Sequence, residues 1–571
     1  MTQRGGRPYE ANPCYPPSGG RVAHGWDDLA ATVRSGRCIV AVDGPAIANW
    51  DHLVQSLTAA MHRRARAAEF ISTSRWTLAW ERLKDATSSA ELGDDPDFER
   101  LPSGDLGELV RAPGRLDVPE GTVLFVYGPG ASLVPHDALW YADLPKRYAE
   151  AAVTAHGGLN LGQPQGTGPA TTKRLFFVDW PLLDRHRDGL VGVLDQWVDM
   201  QSPHDPAFID GATLRATLAQ LSHRPFRTRP TFNTTPWGGH WAQEQLGHRP
   251  GAVNTALGYE LIAPEAGVLV GLAGEPRVEL PFQLLVASFP GPVLGSRAHT
   301  TFGSSFPIRF DYLDTVGGGN LSVHCHPRED YMRDVFGWPY TQHESYYVMV
   351  GSEDQDIFLG LREDADVGEF RERAHEAHGT GAPMEVTDYV SVLPATQHQL
   401  FLIPGGTPHG SGQGNVVLEV SATPYLYSLR FYDWLRRDSS GGLRPVHVDH
   451  AFKNLDTSRR GAAVQRDLVQ APRVDRQGAG WHEEVLGRLP EMFFEVRRLV
   501  LLPGAVAACD ATSSFHVLNV VEGEGVIVEP FEGEPQSLMY AETMVVPAAV
   551  GRYRVRNVGL GRTRVVKALV P

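Results

Sequence analysis

Two histidines stand two residues apart in an apolar run, Leu321-Ser322-Val323-His324-Cys325-His326-Pro327. On a β-strand that spacing turns the imidazoles of His324 and His326 to one face. A carboxylate, Glu344, follows in a second strand-like run, His343-Glu344-Ser345-Tyr346-Tyr347-Val348-Met349. A third histidine, His409, closes the turn Pro404-Gly405-Gly406-Thr407-Pro408-His409. Two histidines from one strand, a carboxylate from the next and a histidine from a distant turn form a nitrogen and oxygen shell for one divalent metal. Neutral imidazole with carboxylate suits zinc, and also iron, nickel or manganese. A lone His-x-His is more often surface or core filler. The ordered set is far rarer by chance, and it makes metal binding by His324, His326, Glu344 and His409 the expectation.

Such a shell needs rigid strands that face one another. The order His-x-His, Glu, Pro-x-Gly-x-x-His resembles the two-motif signature of cupins, small antiparallel β-barrels with a metal in the mouth. The bulk properties agree with a β-rich, multidomain protein. The chain has 571 residues, more than one hydrophobic core usually organises. Its 60 glycines and 42 prolines imply many turns. A formal net charge of −15 argues against nucleic acid and anionic membrane as partners. Cys14, Cys38, Cys325 and Cys509 are scattered without CxxC spacing, which fits a reducing cytoplasm. No apolar run is long enough to span a bilayer and the N-terminus carries no signal-peptide pattern, so a cytoplasmic location is expected.

Residues 1–25 read as a loose arm. A buried-strand signal begins at Cys38-Ile39-Val40-Ala41-Val42-Asp43, followed by a helical stretch from Asn49 to about Glu69. Residues 85–118 are acidic and rich in Gly, Pro and Ser, as in a long excursion. Further apolar runs at Val123–Pro129, Ala138–Asp143 and Arg174–Trp180 alternate with helical patterns, which predicts a parallel α/β domain over residues 1–225. From Pro236-Trp237-Gly238-Gly239 the texture is that of short strands, including runs at Tyr259–Ile262, Val268–Leu272 and Phe282–Phe289. A charged, helical insertion is expected at residues 363–380. A metal-binding cupin is therefore expected over 226–456. A polar linker over 457–480 leads to a second cupin, ending at residue 571. In that second barrel Pro547 is followed five residues on by Arg552 rather than histidine, and Phe515-His516-Val517 is the one faint echo of His-x-His. It reads as metal-free.

The stretch Val40-Ala41-Val42-Asp43-Gly44-Pro45 resembles the first strand of uridine-kinase-like P-loop proteins. A working P-loop needs GxxxxGK[ST] to wrap amides, a lysine and a hydroxyl around phosphates and Mg²⁺. Here Gly44 is followed by Pro45-Ala46-Ile47-Ala48-Asn49-Trp50-Asp51, with no second glycine, lysine or hydroxyl. The resemblance implies a degenerate domain without nucleotide chemistry, and an unrelated α/β domain used for packing or dimerisation is the alternative reading.

Over residues 230–571 the chain resembles the class I, zinc-dependent mannose-6-phosphate isomerases. The motifs are Pro236–Gly239, Leu313-Asp314, residues 321–327, Glu344 before a Tyr-rich strand, Ile403–His409, Arg430-Phe431-Tyr432-Asp433-Trp434 and Val521-Glu522-Gly523-Glu524-Gly525. The resemblance implies one zinc per chain on His324, His326, Glu344 and His409, a catalytic Arg430, and a sugar phosphate as small-molecule partner. It leaves room for a homo-oligomer. Interconverting an aldose and a ketose removes a proton beside a carbonyl, and a Lewis acid and a guanidinium both stabilise the oxyanion that develops. Three positions depart from the family. His324 stands where it has glutamine, and Gln342 and Asp311 stand where it has lysines. The general base stays open among a metal-activated water, His343 and Glu260. A non-catalytic sugar-binding or regulatory cupin is the competing reading.

Overall fold

A computed structural model describes residues 9–249, 251–423, 427–438 and 441–571. The N-terminal part is built on a seven-stranded sheet. Its centre is the strand Cys38–Asp43, flanked by Thr122–Tyr127 and Ala138–Asp143, with Ala67–Ser72 and Gln196–Asp199 outside them. These five strands run parallel, Ala207–Asp210 adds antiparallel beside Gln196–Asp199, and Ala23–His24 forms that edge. Helices cover both faces, so the central strand reads as an unbroken apolar run. The helix that follows it starts at Trp50, where the Asn49 side chain accepts the His52 amide at 3.1 Å. It ends at Arg63, earlier than the sequence pattern predicts, because Ala67–Ser72 is needed as a strand. The run Arg174–Trp180 is helical throughout rather than extended. Short apolar runs buried on all sides do not reveal their period.

Where a phosphate-cradling loop would begin, the chain supplies its own anion. The Asp43 carboxylate accepts the amides of Gly44 at 2.8 Å, Gly130 at 3.0 Å and Ser132 at 2.9 Å. His186 Nε2 lies 2.9 Å from it as well. These amides point at a side chain and are unavailable to a nucleotide. Calorimetry with Mg²⁺-ATP on the full chain should show no binding at micromolar concentration, and micromolar affinity would overturn the degenerate-domain reading.

Two β-sandwich barrels follow. The first packs a six-stranded sheet, containing Ile308–Asp314, Glu344–Val350 and Val416–Ala422, against a five-stranded sheet. The five-stranded sheet holds Val323–Cys325 between His409–Ser411 and Leu429–Tyr432. The charged insertion is a helix, Val367–Thr380, capped by Asp366. The apolar run at 282–289 is a helix, Phe282–Ser288, rather than a strand, and it buries Phe282, Leu284, Leu285 and Val286. The second barrel has sheets of six and four strands. Its first strand, Arg473–Gly478, lies inside the stretch expected to be linker. The N-terminal arm is also less loose than its composition implies. Cys14–Tyr15 pairs with Leu269 and Val270, and the Tyr15 hydroxyl accepts the Arg227 amide at 2.6 Å. Residues 1–8 of that arm lie outside the described residues. Among the described residues, no helix is long and apolar enough to cross a membrane.

Candidate metal centre

Strand register assembles the site. In the five-stranded sheet His324 is directly opposite His409 on one side and Arg430 on the other. Side chains in register across neighbouring strands share a face, so these three project together into the barrel. His326, two residues on, shares it. The facing sheet brings Glu344 in register with Ser421, which in turn pairs with Arg309. The next row on that face is Asp311, Glu419 and Tyr346.

His324, His326, Glu344 and His409 are all buried, with one ligand atom from each lying within 4.8 Å of the others. Each imidazole is oriented by the backbone. His324 Nδ1 lies 2.9 Å from the Ser322 carbonyl, His409 Nδ1 2.9 Å from that of Thr407, and His326 Nδ1 3.2 Å from that of Tyr427. A carbonyl only accepts, so Nδ1 carries the proton and Nε2 presents a lone pair to the centre. Burial, then the neighbouring histidines, push His324 well below the usual imidazole range and keep the ring neutral. His326 Nε2 sits 2.8 Å from Glu344 Oε1, and His409 Nε2 3.0 Å from Glu344 Oε2. Lone pairs facing a carboxylate at these distances, in a buried setting, fit a divalent cation between them. The donor set suits zinc.

Gln342, on the same strand face as Glu344, donates its amide to Glu344 Oε1. Beside it Arg309 reaches Asp311 and Glu419, each at 3.3 Å. Burial lifts the Asp311 carboxyl to about 6 against the pull of Arg309. Burial, then Asp311 and Glu344, push Glu419 well above its ordinary value.

These groups line a cavity of about 230 Å³, walled also by Trp237, Tyr259, Arg430 and Arg444. Of the site residues expected from sequence, His324, His326, Glu344 and Arg430 line this cavity, and the fully buried His409 reaches Glu344 without lining it. Two general-base candidates do not line it. The His343 ring points to the other side of its strand, where Nδ1 accepts the Gly405 amide at 3.2 Å. Glu260 is buried against the second barrel, accepting the Thr543 amide at 2.9 Å and the Tyr9 hydroxyl. Arg309, Arg444 and Glu419 were missed by sequence reasoning. Glu419 had a signal, the lone charge in the apolar run Val416–Val420, and Arg309 had one in its spacing, two residues before Asp311 and so on the same strand face. In the second barrel His516 Nδ1 is 2.7 Å from the Tyr553 hydroxyl, and the residue at the His409-equivalent position, Arg552, is exposed. Among the described residues one cluster has the makings of a metal site, the one in the first barrel.

Residues 25–223 match a domain family of unknown function, DUF8485. The chain is 24% identical over 262 residues, 45% of its length and 73% of the relative's, to mannose-6-phosphate isomerase ManA of Bacillus subtilis (strain 168). Its similarity is to mannose-6-phosphate isomerases. A crystal structure of the Bacillus subtilis mannose 6-phosphate isomerase aligns with a TM-score of 0.49 at 18% identity, covering 60% of this chain and 99% of that one. A zinc-bound mannose 6-phosphate isomerase aligns with a TM-score of 0.46 at 16% identity, over 60% of this chain and 99% of its own.

Proposed function

We propose that the chain is a metal-dependent aldose–ketose isomerase that interconverts mannose 6-phosphate and fructose 6-phosphate, or a related sugar phosphate, through an enediolate. One observation carries this reading. His409, His324 and Arg430 form a single register row facing Glu344, which sets a guanidinium beside a buried ligand set in one cavity. Zinc held by His324, His326, Glu344 and His409 would supply Lewis acidity there. Arg430, always charged, stabilises the negative charge that grows on the substrate oxygen as the neighbouring carbon loses its proton. Gln342 fixes the orientation of Glu344. With His343 and Glu260 outside the cavity, Asp311 and Glu419 are the carboxylates placed to move that proton. Asp311, lifted to about 6, is suited to accept one near neutral pH.

Lysines absent at Gln342 and Asp311 are offset by arginines. Arg309, Arg430 and Arg444 all line the cavity. Each is also paired, Arg309 with Asp311 and Glu419, Arg430 with Asp97, and Arg444 with Asp433. That pairing favours the alternative, a non-catalytic sugar-binding cupin. A small-molecule sugar phosphate as partner and a cytoplasmic location belong to the isomerase reading, and a homo-oligomer is compatible with it. The two readings separate on metal dependence. Under the isomerase reading, chelation abolishes turnover of mannose 6-phosphate and added zinc restores it, in an assay coupled to fructose 6-phosphate. Turnover indifferent to chelation would refute the metal's role.

A further inference from the structure

The guanidinium of Arg430 is held by a residue from the other end of the chain. Arg430 Nη2 lies 2.9 Å from Asp97 Oδ2. His447 Nε2 lies 2.9 Å from the same oxygen. His447 Nδ1 accepts the Arg430 amide at 3.3 Å, so its proton resides on Nε2 and is donated to Asp97. Burial would raise the Asp97 carboxyl, but the His447 hydrogen bond and the Arg430 charge hold it below the usual carboxylate range. Arg430 itself stands in the wall of the cavity that holds the ligand set. Arg430 Nε is buried and has no hydrogen-bond partner.

Asp97 belongs to the acidic excursion of the N-terminal part, and that excursion is firmly seated. Leu92, Phe98 and Leu101 are buried with Phe177, Phe336 and Tyr427 in one apolar cluster. The Leu101 amide donates to the Phe336 carbonyl at 3.0 Å, and the Phe98 ring lies 4.4 Å from that of His447. The Tyr427 hydroxyl donates to the Glu99 carbonyl at 2.8 Å, while the Tyr427 carbonyl orients His326. One segment thus touches both the guanidinium and the support of a ligand histidine.

We propose that Asp97 is a positioning residue that pins Arg430 through Nη2 and so fixes the guanidinium in the cavity wall. The stretch matched by the domain family of unknown function then completes the site of the first barrel. This rests on the isomerase reading for its catalytic consequence, although the pinning itself does not. A misplacement of about 1 Å at a charge-stabilising group costs roughly 10²-fold in rate. In the full zinc-loaded chain, Asp97→Ala should lower kcat about 10²-fold, with KM within about threefold and zinc content unchanged. Asp97→Asn, which keeps the shape and one acceptor, should retain more activity than Asp97→Ala. Crystal structures of the zinc-loaded wild type and Asp97→Ala provide a readout free of turnover, in which the Arg430 guanidinium leaves its wild-type position in the variant. An unmoved Arg430, or a kcat within twofold of wild type, overturns the proposal. If the wild type turns over no sugar, the isomerase reading fails, while the crystallographic comparison still decides whether Asp97 pins Arg430.

Discussion

Arg430→Ala is expected to abolish turnover on mannose 6-phosphate while zinc remains at one per chain. Arg430 shares a register row with His324 and His409 but is not among the ligating atoms, so metal binding and rate should separate. Losing one preorganised donor to a developing oxyanion costs about 3–4 kcal/mol, roughly 10²–10³ in rate. The site offers little to compensate. Arg309 is engaged by Asp311 and Glu419, and Arg444 by Asp433. Arg430→Lys should restore only part of the rate, since an ammonium cannot hold Asp97 along one edge and present another. Steady-state kinetics with parallel elemental analysis checks this. Turnover within tenfold of wild type would remove Arg430 from the chemistry, and loss of zinc would make it structural.

The second large effect concerns the metal itself. His409→Ala removes a fully buried candidate ligand and leaves Glu344 Oε2 facing an apolar gap. Zinc affinity should fall by orders of magnitude, because a ligand and the orientation set by the Thr407 carbonyl are lost together. His516→Ala, in the second barrel, should leave zinc content unchanged, since that ring is spent on Tyr553. Elemental analysis after dialysis distinguishes the cases. Two metals per chain in the wild type, or one retained in His409→Ala, would refute the ligand set.

What the sequence made legible was local. Alternation placed His324 and His326 on one face, and Gln342 with Glu344 on another, because strand period depends only on the backbone. In the structure Gln342 donates to Glu344 from that shared face. The rest depended on register and long-range docking, which composition does not encode. His324 opposite Arg430 joins residues more than a hundred positions apart, and Asp97 reaches Arg430 across a separation of 333. Nothing in an acidic, glycine-rich excursion announces that it will seat Phe98 against His447. The helix at Phe282–Ser288 was misread for a different reason, since a short run buried on all sides shows neither period. Glu260 and His343 were attractive as bases by residue type alone. Their side chains leave the cavity on opposite-face or distant positions, which only the folded sheets reveal.

Under the isomerase reading the first barrel is a metal-dependent isomerase site. Nuclear magnetic resonance of mannose 6-phosphate with the zinc-loaded full chain, its metal occupancy confirmed beforehand, tests it most directly. Fructose 6-phosphate signals should grow with time and be absent from an Arg430→Ala sample of equal zinc content. No conversion of mannose 6-phosphate by the fully loaded wild type would contradict it and leave the sugar-binding reading in its place.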